Sequence, residues 1–293
     1  MTDTIQQDTL QRFLFENTPI RGNIVHLDQT LNMALQHQHC PPALRVALGE
    51  LMVASALLAA TLKMNGALVL QIQGSGALKL LVVECTADLS IRATAKWSGE
   101  LPEGNFTELV GHGQFVITLD PKDGGQPYVG IVALEGNSIS EILQNYMQRS
   151  EQIETRIWLA CSEHTAAGML LQKLPDQPEQ DVDAWARTGF LAETVKPEEL
   201  LGLSAEALLT RLFHEEDVRL FNAKPIKFHC SCSRNSVSSM LRMLGSDEVA
   251  SILEEQGRIE VHCDFCNKRY EFDKVDAQQL FSGDVVPGSA SRH

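Results

Sequence analysis

The stretch "PPALRVALGELMVASALLAATLKMNG", residues 41–66, decides the fold. It opens on two prolines and closes on Asn65-Gly66. These mark a helix that begins where proline is tolerated and ends where glycine can leave it. Between those marks the side chains are apolar nearly all round, so the helix is expected at the centre of a core. The apolar run itself, "LMVASALLAATL" at 51–62, lies between Glu50 and Lys63 and is too short to span a bilayer.

Strands surround this helix in the sequence. "ALVLQIQGSGALKLLVVEC" (67–85) alternates at Leu68, Leu70 and Ile72, turns at Gly74-Ser75-Gly76, and alternates again at Leu78, Leu80 and Val82. That is the pattern of a hairpin. "LSIRATAKW" (89–97) and "GQFVITLD" (113–120) read as strands, "PKDGGQP" as a turn, and "YVGIVAL" (128–134) as the returning strand. "NSISEILQNYMQRSEQ" (137–152) is helical, with Ser138 and Glu141 spaced as a capping box. "TRIWLACS" and "AAGMLLQKL" are further strands. The fold class is α+β. Residues 1–174 are expected to form a mixed α/β domain in which a long helix lies against a largely antiparallel sheet.

At "PDQPEQDVD" (175–183) the composition changes, and Pro175 and Pro178 mark a boundary. Residues 175–221 carry eleven acids against four bases. They nevertheless keep helical apolar spacing at Leu200, Leu201, Leu203, Leu208, Leu209, Leu212 and Phe213. A short, highly charged helix is stable mainly when its apolar stripe rests on another surface. Residues 175–229 are therefore expected to be an acidic helical linker, either an ordinary connector or a movable element. Residues 230–293 form a separate small domain.

The chain of 293 residues has a net charge of −14. That balance argues against nucleic acid and anionic membranes as partners, because both need clustered Lys and Arg. The N-terminus lacks a basic region followed by an apolar core. With an odd count of seven cysteines, this points to a reducing cytoplasm. No nucleophile elbow, P-loop or dinucleotide fingerprint stands out, so neither hydrolase nor ATP-driven chemistry is expected.

Four of the seven cysteines fall in "KFHCSCSRNS" (227–236) and "IEVHCDFCNKRYEF" (259–272). Cys230-x-Cys232 and Cys263-x-x-Cys266 are two close pairs separated by thirty residues, the sequence form of a tetrahedral thiolate site for zinc. Ile259, Val261 and Cys263 share a strand face, Asp264-Phe265 make the turn, and Tyr270 and Phe272 alternate on the way out. "SVSSMLRML" and "SDEVASILEEQG" read as helices, the second with Ser246 as N-cap and Gly257 as C-cap. His229 and His262 each precede a cysteine. Neighbours on a strand point to opposite faces, which favours four thiolates over a histidine-containing site. From Lys224 to Lys274 eight bases balance eight acids, unlike a nucleic-acid finger. Two functions stay open at this point. The site is either a structural zinc centre or a redox switch, because each pair can close into its own disulfide and a small zinc-dependent module then unfolds. Cys40, Cys85 and Cys161 are scattered in apolar stretches and read as core fillers.

The cysteine pattern, the acidic linker and the α/β region together resemble the bacterial family of 33 kDa heat-shock redox-regulated chaperones. The resemblance extends through "LQRFLFENTPIRG", "LLAATLKMNG", "LVGHGQFVIT", "YMQRSEQIETR", "AAGMLLQ" and "LFHEEDVRLF", in that order. Met147 departs from it, standing where an aromatic residue is expected. The resemblance implies a non-enzymatic, ATP-independent holdase. When reduced it is an inactive monomer with one Zn2+ on Cys230, Cys232, Cys263 and Cys266. Oxidation is implied to form Cys230–Cys232 and Cys263–Cys266 and to release zinc. The linker and C-terminal domain then lose structure, and an active homodimer binds unfolded or partly folded clients during stress. On geometry, Cys263–Cys266 is expected to close first, since a Cys-x-x-Cys turn approaches disulfide geometry more readily than Cys-x-Cys. The alternatives are a thiol-disulfide oxidoreductase and a zinc-stabilised regulatory binding protein.

Overall fold

The computed structural model describes residues 7–38, 40–62, 65–101, 105–174 and 181–282. The chain divides into two compact units, Met1–His229 and Cys230–His293. The boundary expected at Pro175 and Pro178 lies outside the described residues.

The first unit contains, in order, β1 (Thr9–Phe15), β2 (Ile20–Leu27), α1 (Gln29–Leu35), α2 (Pro42–Ala59), β3 (Gly66–Gly74), β4 (Leu78–Thr86), β5 (Ser90–Trp97), α3 (Phe106–Val110), β6 (Gly113–Pro121), β7 (Tyr128–Ala133), α4 (Ile139–Arg149), β8 (Thr155–Cys161) and β9 (Ala166–Lys173). It continues with α5 (Ala184–Ala192), α6 (Pro197–Gly202), α7 (Ala205–Phe213), β10 (Val218–Leu220), β11 (Lys224–Pro225) and β12 (Lys227–Phe228). The strands form two sheets. One runs β10-β1-β2-β9-β8, with β11 also on β1; the other runs β12-β5-β4-β3-β6-β7. Among the described strands only the β12–β5 pair is parallel.

Helix α2 packs on strands of both sheets. Leu44, Leu48, Leu51, Met52, Val53, Ala56 and Leu57 are buried, as an all-round apolar helix requires. It is long and apolar enough to cross a membrane, yet 67% of that span is buried inside the protein. It ends at Ala59, short of the expected Asn65-Gly66 stop. Thr61 and Leu62 donate to Leu58 and Ala59, tightening the last turn to i−3 bonding, and the Thr61 hydroxyl also donates to Leu58 O at 2.7 Å. Gly66 instead opens β3.

The expected β3–β4 hairpin is present, but its second strand changes phase. A bulge between Leu78 and Leu80 makes Leu78, Leu81, Val83 and Cys85 the buried residues, leaving Leu80 and Val82 partly exposed. At α4 the Ser138 hydroxyl accepts the Glu141 amide as expected. The Glu141 carboxylate accepts from Asn137, one residue before the predicted partner. Met147 is buried and helps fill the core.

The two faces of the first sheet have different covers. Leu10, Val25, Leu27 and Leu170 face the core containing α2. Phe13, Phe15, Ile20, Ile24, Met169 and Leu171 pack against Leu200, Leu208, Leu209, Leu212 and Phe213 of the acidic helices. The apolar stripe of residues 200–213 thus rests on a sheet within the same unit. After α7 the chain returns to strand, pairing β10 and β11 with β1 and β12 with β5.

The second unit contains α8 (Arg234–Leu244), α9 (Ser246–Gln256), β13 (Ile259–His262), β14 (Arg269–Phe272) and α10 (Lys274–Ser282). Leu241, Val249, Leu253, Ile259, Tyr270, Phe272, Ala277 and Leu280 make its small core. Gly257 caps α9 with φ +74°, a left-handed conformation that suits glycine. The cap at the other end of α9 is Gly245, and Ser246 is the first helical residue.

Candidate metal centre

Two backbone devices deliver the cysteines. β13 brings in Cys263, and the chain turns tightly there. The Asn267 amide donates to Cys263 O at 2.8 Å, and the Cys263 amide donates to Lys268 O at 3.0 Å. Asn267 takes φ +55°, which Asn tolerates better than most residues. Cys266 lies inside this knuckle. Cys230 and Cys232 lie in the irregular segment before α8, whose start is fixed by the Ser233 hydroxyl accepting the Ser236 amide. Arg234 anchors the same corner, donating to Glu271 O and pairing with Asp276 at 2.8 Å while lying over the Phe272 ring.

The result is a half-buried cluster in which the sulfurs of Cys230, Cys232, Cys263 and Cys266 all lie within 4.8 Å of one another. Cys230 Sγ is 3.6 Å from Cys263 Sγ, and Cys232 Sγ is 3.4 Å from Cys266 Sγ. A tetrahedral zinc site with bonds of about 2.3 Å spaces its sulfurs about 3.8 Å apart, and a four-sulfur donor set selects zinc. The cluster therefore fits a single metal ion. It contains neither histidine. His262 is about half exposed and faces Glu260 at 3.5 Å, while the His229 amide donates to Ile91 O.

Sequence reasoning missed the Tyr270 hydroxyl, which donates to Cys232 Sγ at 3.1 Å. Burial works to raise the Cys232 thiol, but the Tyr270 hydroxyl and the neighbouring sulfurs outweigh it and hold Cys232 at about 7. Burial raises Cys230, against a hydrogen bond from the Cys232 amide. Burial pushes Cys266 up to about 12, despite the Lys268 amide. One negative charge thus settles first on Cys232 and disfavours further ionisation nearby. A divalent cation would remove that penalty. Elsewhere burial pushes Cys40 to about 11 and Cys85 and Cys161 to about 12, which suits packing residues rather than nucleophiles.

The model of the Hsp33 protein family matches residues 8–273. The chain belongs to the Hsp33 family. Curated relatives named 33 kDa chaperonin include one from Methylobacillus flagellatus, 67% identical over 98% of this chain and 99% of its own. One from Chromobacterium violaceum is 52% identical over 98% of both chains. One from Neisseria meningitidis serogroup A is 46% identical over 95% of this chain and 93% of its own. The crystal structure of the Thermotoga maritima 33 kDa chaperonin superposes with a TM-score of 0.81. It covers 93% of this chain and 97% of the other at 23% identity, a likeness of fold. Hsp33 is a family of non-enzymatic chaperones, which gives this chain a chaperone role.

Proposed function

We propose that the chain is a redox-regulated, ATP-independent holdase, latent when its four clustered thiols hold one Zn2+ and active once they are oxidised. The observation that carries this is four sulfurs within 4.8 Å in a unit whose core comprises only eight buried side chains among the described residues. So small a core depends on a cross-link. Bound zinc would keep Cys230, Cys232, Cys263 and Cys266 as thiolates and tie the start of the unit to the β13–β14 turn.

In the activating step, one thiolate of a pair attacks peroxide, forming a sulfenic acid and releasing hydroxide. Its partner displaces a second hydroxide as the S–S bond closes. Each pair reduces one peroxide, so Cys230–Cys232 and Cys263–Cys266 together consume two peroxides and give four hydroxides. Disulfide sulfurs are poor ligands, so the ion is released and the small unit loses its cross-link. The acidic linker, which leads directly into Cys230, then loses structure, and its helices α5, α6 and α7 leave the sheet. This uncovers Phe13, Phe15, Ile24 and Met169 together with the leucine stripe that covered them. Exposed apolar surface of this kind binds unfolding clients. The latent form is a monomer, the active form a homodimer, and the setting is the cytoplasm under oxidative stress. The oxidoreductase alternative fits less well, because all four sulfurs share one cluster and Cys263-x-x-Cys266 joins two strands rather than opening a helix.

The test follows zinc release, free thiols and suppression of aggregation of a heat-denatured protein in parallel during peroxide treatment. Loss of four thiols and of zinc, with holdase activity appearing only afterwards, is the expected result. Equal activity in the reduced protein, or retention of zinc under peroxide, overturns the proposal.

A further inference from the structure

Beside the C-terminal end of α2 lies a cavity of about 410 Å3, whose walls include Arg12, Arg21, Asn23, Phe221, Asn222 and Lys224. Among the described residues no carboxylate lines it, although the chain carries a net charge of −14. Strand register explains the concentration of positive charge. Arg12 lies opposite Asn23 and Leu14 opposite Arg21, so both arginines stand on one face of the sheet, on adjacent strands. Leu10 lies opposite Lys224, which brings a third cation to the same face.

The arginines are anchored without being neutralised. Arg12 donates one N–H to Ala60 O at 2.7 Å, and Arg21 donates from Nε and Nη2 to Gln172 Oε1 at 3.1 and 2.6 Å. These acceptors are uncharged, and a guanidinium has five N–H donors. Neither arginine forms an ion pair among the described residues. Glu151, which borders a neighbouring cavity with Arg21, accepts the Tyr146 hydroxyl instead. Burial, and then the Arg12 charge, push the half-buried Arg21 below its ordinary range. Two guanidiniums thus share a concave wall with no counter-charge.

We propose that this cavity binds a small phosphorylated molecule. Its phosphoryl group lies among Arg12, Arg21 and Lys224, and its remaining atoms lie beside Phe221 and Asn222. Forked guanidiniums suit the oxygens of a phosphoryl group, and charge-assisted bonds to them are strong. The cavity exceeds the volume of a lone phosphate and offers an aromatic ring and an amide for a larger molecule. Arg12 and Arg21 belong to β1 and β2, whereas Phe221, Asn222 and Lys224 belong to the segment that follows α7. The Phe221 amide donates to Arg12 O. An occupant therefore spans the sheet and that segment, and stabilises their docked arrangement by mass action. The site does not depend on the holdase proposal.

The experiment titrates inorganic phosphate and pyrophosphate into the reduced, zinc-loaded full chain in low-chloride buffer, by calorimetry and by melting temperature. Succinate at matched ionic strength serves as the carboxylate control. Saturable one-site binding, with a rise in melting temperature and little response to succinate, is expected. Arg21→Gln is expected to weaken pyrophosphate binding by about tenfold or more. Lys224→Gln, at an exposed side chain, is expected to weaken it by about threefold and leave the unliganded melting temperature unchanged. Absence of saturable binding, equal affinity for succinate, or unchanged affinity in both variants overturns the proposal.

Discussion

Phe213, the last residue of α7, meets Phe15 of β1 edge to face, with ring centroids 5.0 Å apart and planes at 83°. Phe15 in turn meets Phe13 at 5.9 Å. These rings join the most acidic part of the chain to the sheet, so docking there is mainly apolar. The ion pairs around it, Arg187–Glu216, Arg211–Glu199 and Arg156–Glu193, are partly or largely exposed, and such pairs contribute little. Helices α5, α6 and α7 have nine, six and nine residues, too few to persist alone in water. They remain helical because they are docked.

Phe213→Ala removes the largest docked side chain of α7, and buried Phe→Ala changes cost about 3–5 kcal/mol. The reduced variant is expected to keep its zinc, bind an apolar dye, and suppress aggregation without oxidant. Phe190→Ala, at a ring 66% exposed, is the control and is expected to change neither readout. A Phe213→Ala protein that melts earlier yet stays inactive until oxidised would show that undocking these helices is insufficient for client binding.

His26 adds a pH dependence to the same docking. It is buried on β2, and its Nε2 lies 3.0 Å from Leu200 O of α6. Burial holds its pKa below the ordinary 6.5, although the Leu200 and Leu203 carbonyls oppose this. The folded state therefore keeps His26 neutral, while the unfolded chain takes up a proton near 6.5. The resulting stability is complete above that value and is lost as pH falls through the lower folded-state pKa. Dye binding by the reduced protein is expected to rise between pH 7.5 and 5.5, and His26→Gln is expected to flatten that rise. An unaltered pH profile in the variant would remove His26 from the account.

Much of this architecture was legible in local sequence, and the exceptions share a cause. The body of α2 was readable because it is apolar nearly all round, though its end was not, and the zinc-type cluster because both thiol pairs are close in sequence. The β4 phase was not, because a bulge at Leu78–Leu80 depends on pairing with β5. The start of α1 is capped from a distance. The Asp8 carboxylate accepts the amides of Asp28, Gln29 and Thr30, while Asp28, the residue in sequence position to cap, makes no such bond. Strands β10 to β12 have only two or three residues each, too few to show a period. Tyr270 looked like an alternating core residue. Its hydroxyl reaches Cys232, thirty-eight positions away in the chain, only in the folded unit.

Tyr270→Phe separates those two roles. The ring stays to fill the core, and the hydrogen bond to Cys232 is lost. Partners of metal ligands typically account for 10–100-fold in affinity. The variant is expected to fold normally when zinc-loaded, but to lose zinc to a competing chelator at about tenfold lower chelator concentration. Its far-ultraviolet circular dichroism should then fall at the same lower concentration, as the small unit comes apart. Unchanged competition would mean that the hydroxyl contributes only to packing.

For the proposed switch, backbone shape rather than sulfur proximity sets the expected order of oxidation. The short Cys230–Cys263 and Cys232–Cys266 separations run between the two thiol pairs, so distance alone would permit crossed disulfides. Those crossed bonds would keep the start of the unit tied to the β13–β14 knuckle, as bound zinc would, and would stabilise what the proposed activation has to dismantle. Cys263 and Cys266 instead sit in a turn already closed by the Asn267 and Lys268 backbone bonds. Cys230-Ser231-Cys232 has one intervening residue and no regular structure, so it must bend further to join its sulfurs. Mass mapping of quenched early products is therefore expected to find Cys263–Cys266 first and Cys230–Cys232 second. Early Cys230–Cys232 would reverse the order while leaving the proposed switch intact. Crossed disulfides in an active protein would mean that activation proceeds without loss of the cross-link, and would overturn unfolding of the small unit as the activating event.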